Sequence, residues 1–189
     1  LVTLPPRKET RDLLVQALDH ADDGEVRDFA AVTGARLGDT RARAHLRELF
    51  ARPDHDAGKA DRDLSIQAAL ALAQAGDATG LQALTAALDD CEDKVPLCRN
   101  VILHLGDLKD ARAVPALLVH LGEVQNRREM VEALGKIGDP GVAMALVFRL
   151  KHDEYVPVRT EAARALSRIG GKVATDGLRW AVEHEKEAQ

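Results

Sequence analysis

Val158 to Gly171 reads VRTEAARALSRIGG, and four earlier stretches repeat its order of apolar residues, small residues and closing turn. The matches are VRDFAAVTGARLGD ending at Asp39, LSIQAALALAQAGD ending at Asp77, LCRNVILHLGDLKD ending at Asp110 and NRREMVEALGKIGD ending at Asp139. Their end points lie 38, 33, 29 and 32 residues apart, averaging 33, which is room for two short helices and two turns. Within each copy, apolar or small side chains fall at offsets 0, 3, 4, 7, 8 and 11, the spacing of one buried helical face. In the fourth copy that face is Met130, Ala133, Leu134 and Ile137, with Glu129 as its polar intruder. In the fifth it is Val158, Glu161, Ala162, Ala165, Leu166 and Ile169.

Gly38, Gly76, Gly138 and Gly170 stand where each helix must stop, and the Asp that usually follows can accept the free amides of the next helix. Lys109 takes the glycine's place in the third copy, so that turn is expected to differ. A second periodic run follows each turn: ARAHLRELFA, TGLQALTAAL, RAVPALLVHL, GVAMALVFRL and VATDGLRWAV. Every copy is therefore a helical hairpin that cannot bury its own face without neighbours.

Two stretches, RREMVEALGKIGDPGVAMAL at Arg127 to Leu146 and LKDARAVPALLVHL at Leu108 to Leu121, resemble the short HEAT-like repeats named after the phycobilisome lyases. The resemblance runs from Pro6 to Val182 and implies an all-α, right-handed α-solenoid of about five hairpins led by a half-repeat. The boundaries read as a single domain over 1–189, with a half-repeat at 6–22, repeats at 24–51, 63–90, 95–122, 125–152 and 156–186, and an insertion loop at 51–63. The aromatic signature of tetratricopeptide repeats and the T-P-L-H of ankyrin are absent.

Composition agrees. Aromatic residues make up 3% of the chain, too few for one compact core of 189 residues and enough for a continuous stripe. With 26 basic and 31 acidic side chains the net charge is -5, so no global basic field draws the chain to nucleic acid. No run of about 18 apolar residues predicts membrane insertion. The chain opens on Leu1 instead of Met, as expected of an excised domain or a processed product.

Taken in order, Leu1 to Pro6 is predicted to be an extended lead-in because of its paired prolines. ETRDLLVQALDH aligns with the second helix of a repeat through Leu14 and Leu18. The long connection ARPDHDAGKADRD, Ala51 to Asp63, reads as an exposed loop. Ile66, Leu70 and Leu103 are apolar where the fourth and fifth copies are polar, so the insertion is expected to fold over them. Cys91 and Cys98 are the only two cysteines and lie seven residues apart in one turn. Two readings stand: a disulfide, which implies an oxidising, extracytoplasmic compartment, or two unrelated thiols in a cytosolic protein. The pair lacks the two further ligands of a structural zinc site.

No catalytic constellation emerges, and neither a cofactor nor a metal is expected. Deoxyhypusine hydroxylases, built on similar repeats, bind iron through repeated His-Glu pairs, whereas this chain has one such pair, His184 and Glu185. The remaining histidines, His20, His45, His55, His104, His120 and His152, are scattered over different repeats. A repair glycosylase on such a scaffold would need a basic, aromatic groove with a carboxylate. Trp180, Asp176 and Arg179 supply those parts only superficially, against an acidic overall balance.

What remains is the surface that stacking creates. Counted from the closing Asp or Gly, offsets 4, 7, 8 and 11 of each second helix are expected to face the core, and offset 9, about 150 degrees away by helical spacing, to face solvent. Offset 9 is Glu48, Ala86, Val119, Phe148 and Trp180 in turn. Three successive large apolar residues at a solvent position predict a recognition surface, with Met144 beside them and Arg149 and Arg179 as a polar rim. The competing reading has Trp180 closing the end of the core. The predicted role is a non-catalytic scaffold for a protein partner. The alternatives are an accessory domain of a larger, secreted bacterial enzyme or a bilin-lyase-like protein.

Overall fold

The computed structural model describes residues 8–51, 62–89, 95–123 and 125–184, and among them it is helical, without strands. In chain order the helices are α1 (Lys8–His20), α2 (Gly24–Arg36), α3 (Thr40–Ala51), α4 (Arg62–Gln74), α5 (Ala78–Asp89) and α6 (Val95–Leu108). Then follow α7 (Val114–His120), α8 (Arg127–Ile137), α9 (Ala143–His152), α10 (Val156–Ile169) and α11 (Gly171–His184). Short 3₁₀ turns, Ala111–Ala113 and Pro140–Val142, lead into α7 and α9. The fold class is all-α, and the odd- and even-numbered helices from α2 onward form successive hairpins. The lead-in before Arg7 and the body of the insertion loop lie outside the described residues.

The chain divides into two compact units, Leu1–Ala87 and Leu88–Gln189. In the first, α2 packs against α1, α3 and α4. Its core is built from small residues with a few leucines among them: Ala31 and Ala35 of α2, Leu46 of α3, and Ala68, Ala71 and Leu72 of α4. Small side chains let the helix axes approach. A Cβ added to Gly80 of α5 would stand 2.3 Å from the backbone nitrogen of Ala73 in α4. Ile66 and Leu70 are buried and Leu103 is half-buried, while most of the loop expected to cover them is not described.

In the second unit α8 packs against both α6 and α10. The crossings are again made by small residues, since a Cβ on Gly106 of α6 would lie 2.7 Å from the Ala133 Cα of α8. Between them Leu105, Leu134 and Leu166 have no exposed surface. Truncating any one to Ala should cost about 2–5 kcal/mol, because the rigid neighbours would leave a cavity. Packing runs across hairpins as well as within them: α7 meets α8, and α9 meets both α10 and α11.

The closing turns behave as punctuation. Gly138 adopts φ 77 and donates its N–H to the Leu134 carbonyl at 3.1 Å, ending α8 in the left-handed conformation that glycine takes without steric cost. Lys109 was expected to change its turn, yet it takes the same left-handed region at φ 53. The hairpin geometry thus overrides the steric preference of a residue with a Cβ. After four of the five turns an aspartate caps the next helix. Asp39 accepts from Arg41 and Ala42 amides, Asp77 from Thr79, Asp110 from Arg112 and Asp139 from Gly141.

Three arginines near the starts of first helices reach backbone carbonyls of the preceding turn. Arg27 donates to the Ala21 carbonyl, Arg127 to those of Gly122 and Glu123, and Arg159 to those of Asp153 and Glu154. Each guanidinium thus satisfies carbonyls left free where the preceding turn leaves a helix, the groups that helix termini orphan. Among the capping aspartates, Asp77 does reach an arginine of the neighbouring hairpin, Arg47. Asp110 instead pairs with Arg112 of its own turn at 2.6 Å.

Candidate functional site

The inward faces of the second helices decide which residues are left outside. In α9 and its entry turn the buried residues are Val142, Ala143, Leu146 and Leu150, at offsets 3, 4, 7 and 11 from Asp139. Offset 8 was expected inside, but Val147 is half-buried and Leu118, its equivalent in α7, is exposed. At 100 degrees per residue offset 8 stands roughly a right angle from the centre of that face, while offset 3 falls within it. In α11 the buried pair is Ala174 and Gly177, so this helix is turned by one residue relative to α9.

Offset 9 is outward in the four earlier second helices. Glu48 and Ala86 are exposed, and Val119 and Phe148 retain 76% and 56% of their surface. Met144, one helical turn before Phe148, is 67% exposed. Trp180 is half-buried, which follows from the one-residue rotation of α11; neither it nor Phe148 is a core residue.

The rings are bordered by cations. The Arg149 guanidinium carbon lies 5.6 Å from the Phe148 ring centre, and the His152 ring centre is 5.0 Å from it. Lys151 Nζ stands 4.7 Å from the Trp180 ring centre, bringing α9 and α11 together at the surface. Beneath them, a Cβ on Gly177 would meet Val147 at 2.5 Å, so this glycine is what allows the two helices to close up. His184 stacks on Trp180 at 4.3 Å and its Nδ1 lies 2.8 Å from the Trp180 carbonyl.

The two rim arginines differ. Arg149 is half-buried and leans toward Asp153 at 3.6 Å, a carboxylate with no exposed surface that also takes Arg127 at 3.0 Å and the Tyr155 amide at 3.1 Å. Arg179 is exposed and bonds Asp176 at 3.1 Å, which Lys172 meets at 3.3 Å. Lys151, His152 and His184 did not figure in the sequence reading of the surface. The signal was present, since Lys151 and His152 follow Phe148 by three and four residues and His184 follows Trp180 by four, the spacings that share a helix face.

Elsewhere in the second unit His120 is 7% exposed, with Nε2 2.8 Å from Asp89 and Nδ1 2.7 Å from Glu123. Burial opposes its charge, but the two carboxylates outweigh that and raise the affinity of the ring for its proton. Cys98 is buried and disulfide-bonded, and Cys91 lies outside the described residues. Among the described residues no three His, Cys, Asp or Glu side chains group to hold a metal ion. No helix is long and apolar enough to cross a membrane, again among the described residues.

None of the curated proteins compared with the chain matches it. Among solved structures, the complex of CpcE and CpcF of phycocyanin lyase from Nostoc sp. PCC7120 is similar in fold, with a TM-score of 0.59 and 24% sequence identity over 91% of this chain and 69% of that one. Residues 122–188, which hold α8 to α11 with Met144, Phe148 and Trp180, match the family model of HEAT repeats.

Proposed function

We propose that the chain is a non-catalytic scaffold that binds a protein partner through the outer surface of its second helices. The observation that carries this is the exposure of Val119, Met144 and Phe148 together on the outward faces of the second helices α7 and α9. Exposed apolar side chains of this size contribute most when a partner removes them from water, and aromatic residues lead such anchors. Trp180 extends the surface onto α11, and Arg149 and Arg179 border it. A photo-crosslinking residue placed at Phe148 should capture a protein that the same residue placed at Arg128, on the exposed side of α8, does not. Equal capture from both positions would refute the assignment.

The fold shared with a phycocyanin lyase structure also suits an accessory subunit of an enzyme. The two readings differ in whether a chromophore becomes attached to an acceptor protein. Incubation with a bilin and an apo-phycobiliprotein, followed by absorbance, should give no adduct.

A further inference from the structure

Resting on that reading, we infer that the partner presents an acidic amphipathic helix to the surface of α9 and α11. The chain carries a net charge of -5, yet residues 111–120 and 140–152, the second helices α7 and α9 with their entry turns, contain Arg112, Arg149 and Lys151 and no Asp or Glu. Lys151 lies over the Trp180 ring and pairs with no carboxylate among the described residues. Of the acids on these helices and the turn after α9, Asp153 is buried between Arg127 and Arg149 and Asp176 is held by Lys172 and Arg179, while Glu183, three residues after Trp180, is exposed and forms no ion pair among the described residues. Two arginines on one carboxylate, and two cations on another, leave an excess of positive charge beside the apolar ridge. Met144 and Phe148 are one turn apart, the row that a partner helix with apolar residues at the same spacing packs against. Carboxylates flanking that row would meet Lys151 and Arg149, so charge selects the partner while the apolar ridge holds it.

The test uses the full 189-residue chain, whose single tryptophan, Trp180, reports on this surface by its fluorescence. The probes are a helical peptide with Leu at alternating third and fourth positions and Glu between, its counterpart with Gln for Glu, and a single-stranded oligonucleotide of equal charge. The Glu peptide is expected to bind at least about tenfold more tightly than the Gln peptide. Lys151→Glu should remove that preference, Arg128→Glu, the same charge change on α8, should keep it, and Phe148→Ala should weaken both peptides. Circular dichroism confirms that each variant is folded. Equal binding of the Glu and Gln peptides with continued dependence on Phe148 overturns the acidic partner and leaves the docking surface standing. Binding of both peptides unaffected by Phe148→Ala, or of neither peptide, overturns both. A preference for the oligonucleotide overturns the inference in favour of a nucleic acid.

Discussion

Gly135 of α8 and Ala165 of α10 approach so closely that a Cβ on Gly135 would stand 2.5 Å from the Ala165 Cβ and 2.9 Å from its Cα. One of those atoms is backbone, so room can come only from separating the helices. Ala in place of Gly gains about 1 kcal/mol of helix propensity, and overpacking a closed interface costs about 1–3 kcal/mol. Gly135→Ala should therefore lower stability in urea unfolding despite its better propensity. Gly122→Ala, where nothing lies within 4 Å, should be neutral to within about 0.5 kcal/mol. Equal effects at the two sites would contradict the close-packed crossing.

Asp139 accepts a hydrogen bond from the Gly141 amide at 2.8 Å, closing one hairpin turn and opening the next helix. Asp139→Ala should cost about 1 kcal/mol, the usual loss of an N-cap side chain, with Asp139→Asn or Asp139→Ser recovering most of it. An unchanged unfolding midpoint for the Ala variant would show that the cap contributes nothing.

Asp153 has no exposed side-chain surface and joins Arg127, Arg149 and the Tyr155 amide. Removing it leaves Arg127, itself nearly buried, without its carboxylate. Asp153→Ala should destabilise the protein by about 3–5 kcal/mol, the range for breaking one side of a buried pair. A loss below about 1 kcal/mol, as at an exposed pair, would refute the buried network.

His120 supplies the pH dependence. Both of its ring nitrogens face carboxylate oxygens, and only the protonated ring can donate to both. Its folded pKa is raised, burial opposing the charge and Asp89 and Glu123 overcoming it. The resulting stabilisation is therefore fully present below the unfolded value, about 6.5, and is lost as pH rises through the folded value. Urea midpoints should fall with rising pH across that window in the wild type, and the step should be missing in His120→Gln. A midpoint that rises there, or a step retained in the variant, would contradict the assignment.

Much of the fold was legible because the same physical constraint recurs in each repeat. Val158, Ala162, Ala165 and Leu166 were read as one face from spacing alone, and all four are buried. Glu161 was placed on that face too; it is 3% exposed and is satisfied by Arg164 at 3.2 Å and Arg168 at 3.3 Å on its own helix. The Lys109 turn was misread because local sterics were weighed without the hairpin that enforces the turn. Charge is visible in a sequence, whereas the free carbonyls that Arg27, Arg127 and Arg159 bind are not; Arg127 reaches the buried Asp153 as well. At the surface, the outward positions of Val119 and Phe148 follow from helical period. The one-residue rotation that half-buries Trp180 depends on Gly177 meeting Val147, a contact between helices that no single repeat displays.

The central claim is that the second-helix surface captures a protein partner and does little to hold the fold together. Its most direct test is one paired measurement on wild-type and Phe148→Ala/Trp180→Ala protein: capture of the partner found by crosslinking at Phe148, and the melting temperature. Phe148 is outward and Trp180 half-buried, so the double variant should melt within about 4 °C of the wild type, a change worth about 1 kcal/mol or less, while capture falls at least about tenfold. Undiminished capture at an unchanged melting temperature would contradict the account, as would a double variant that unfolds.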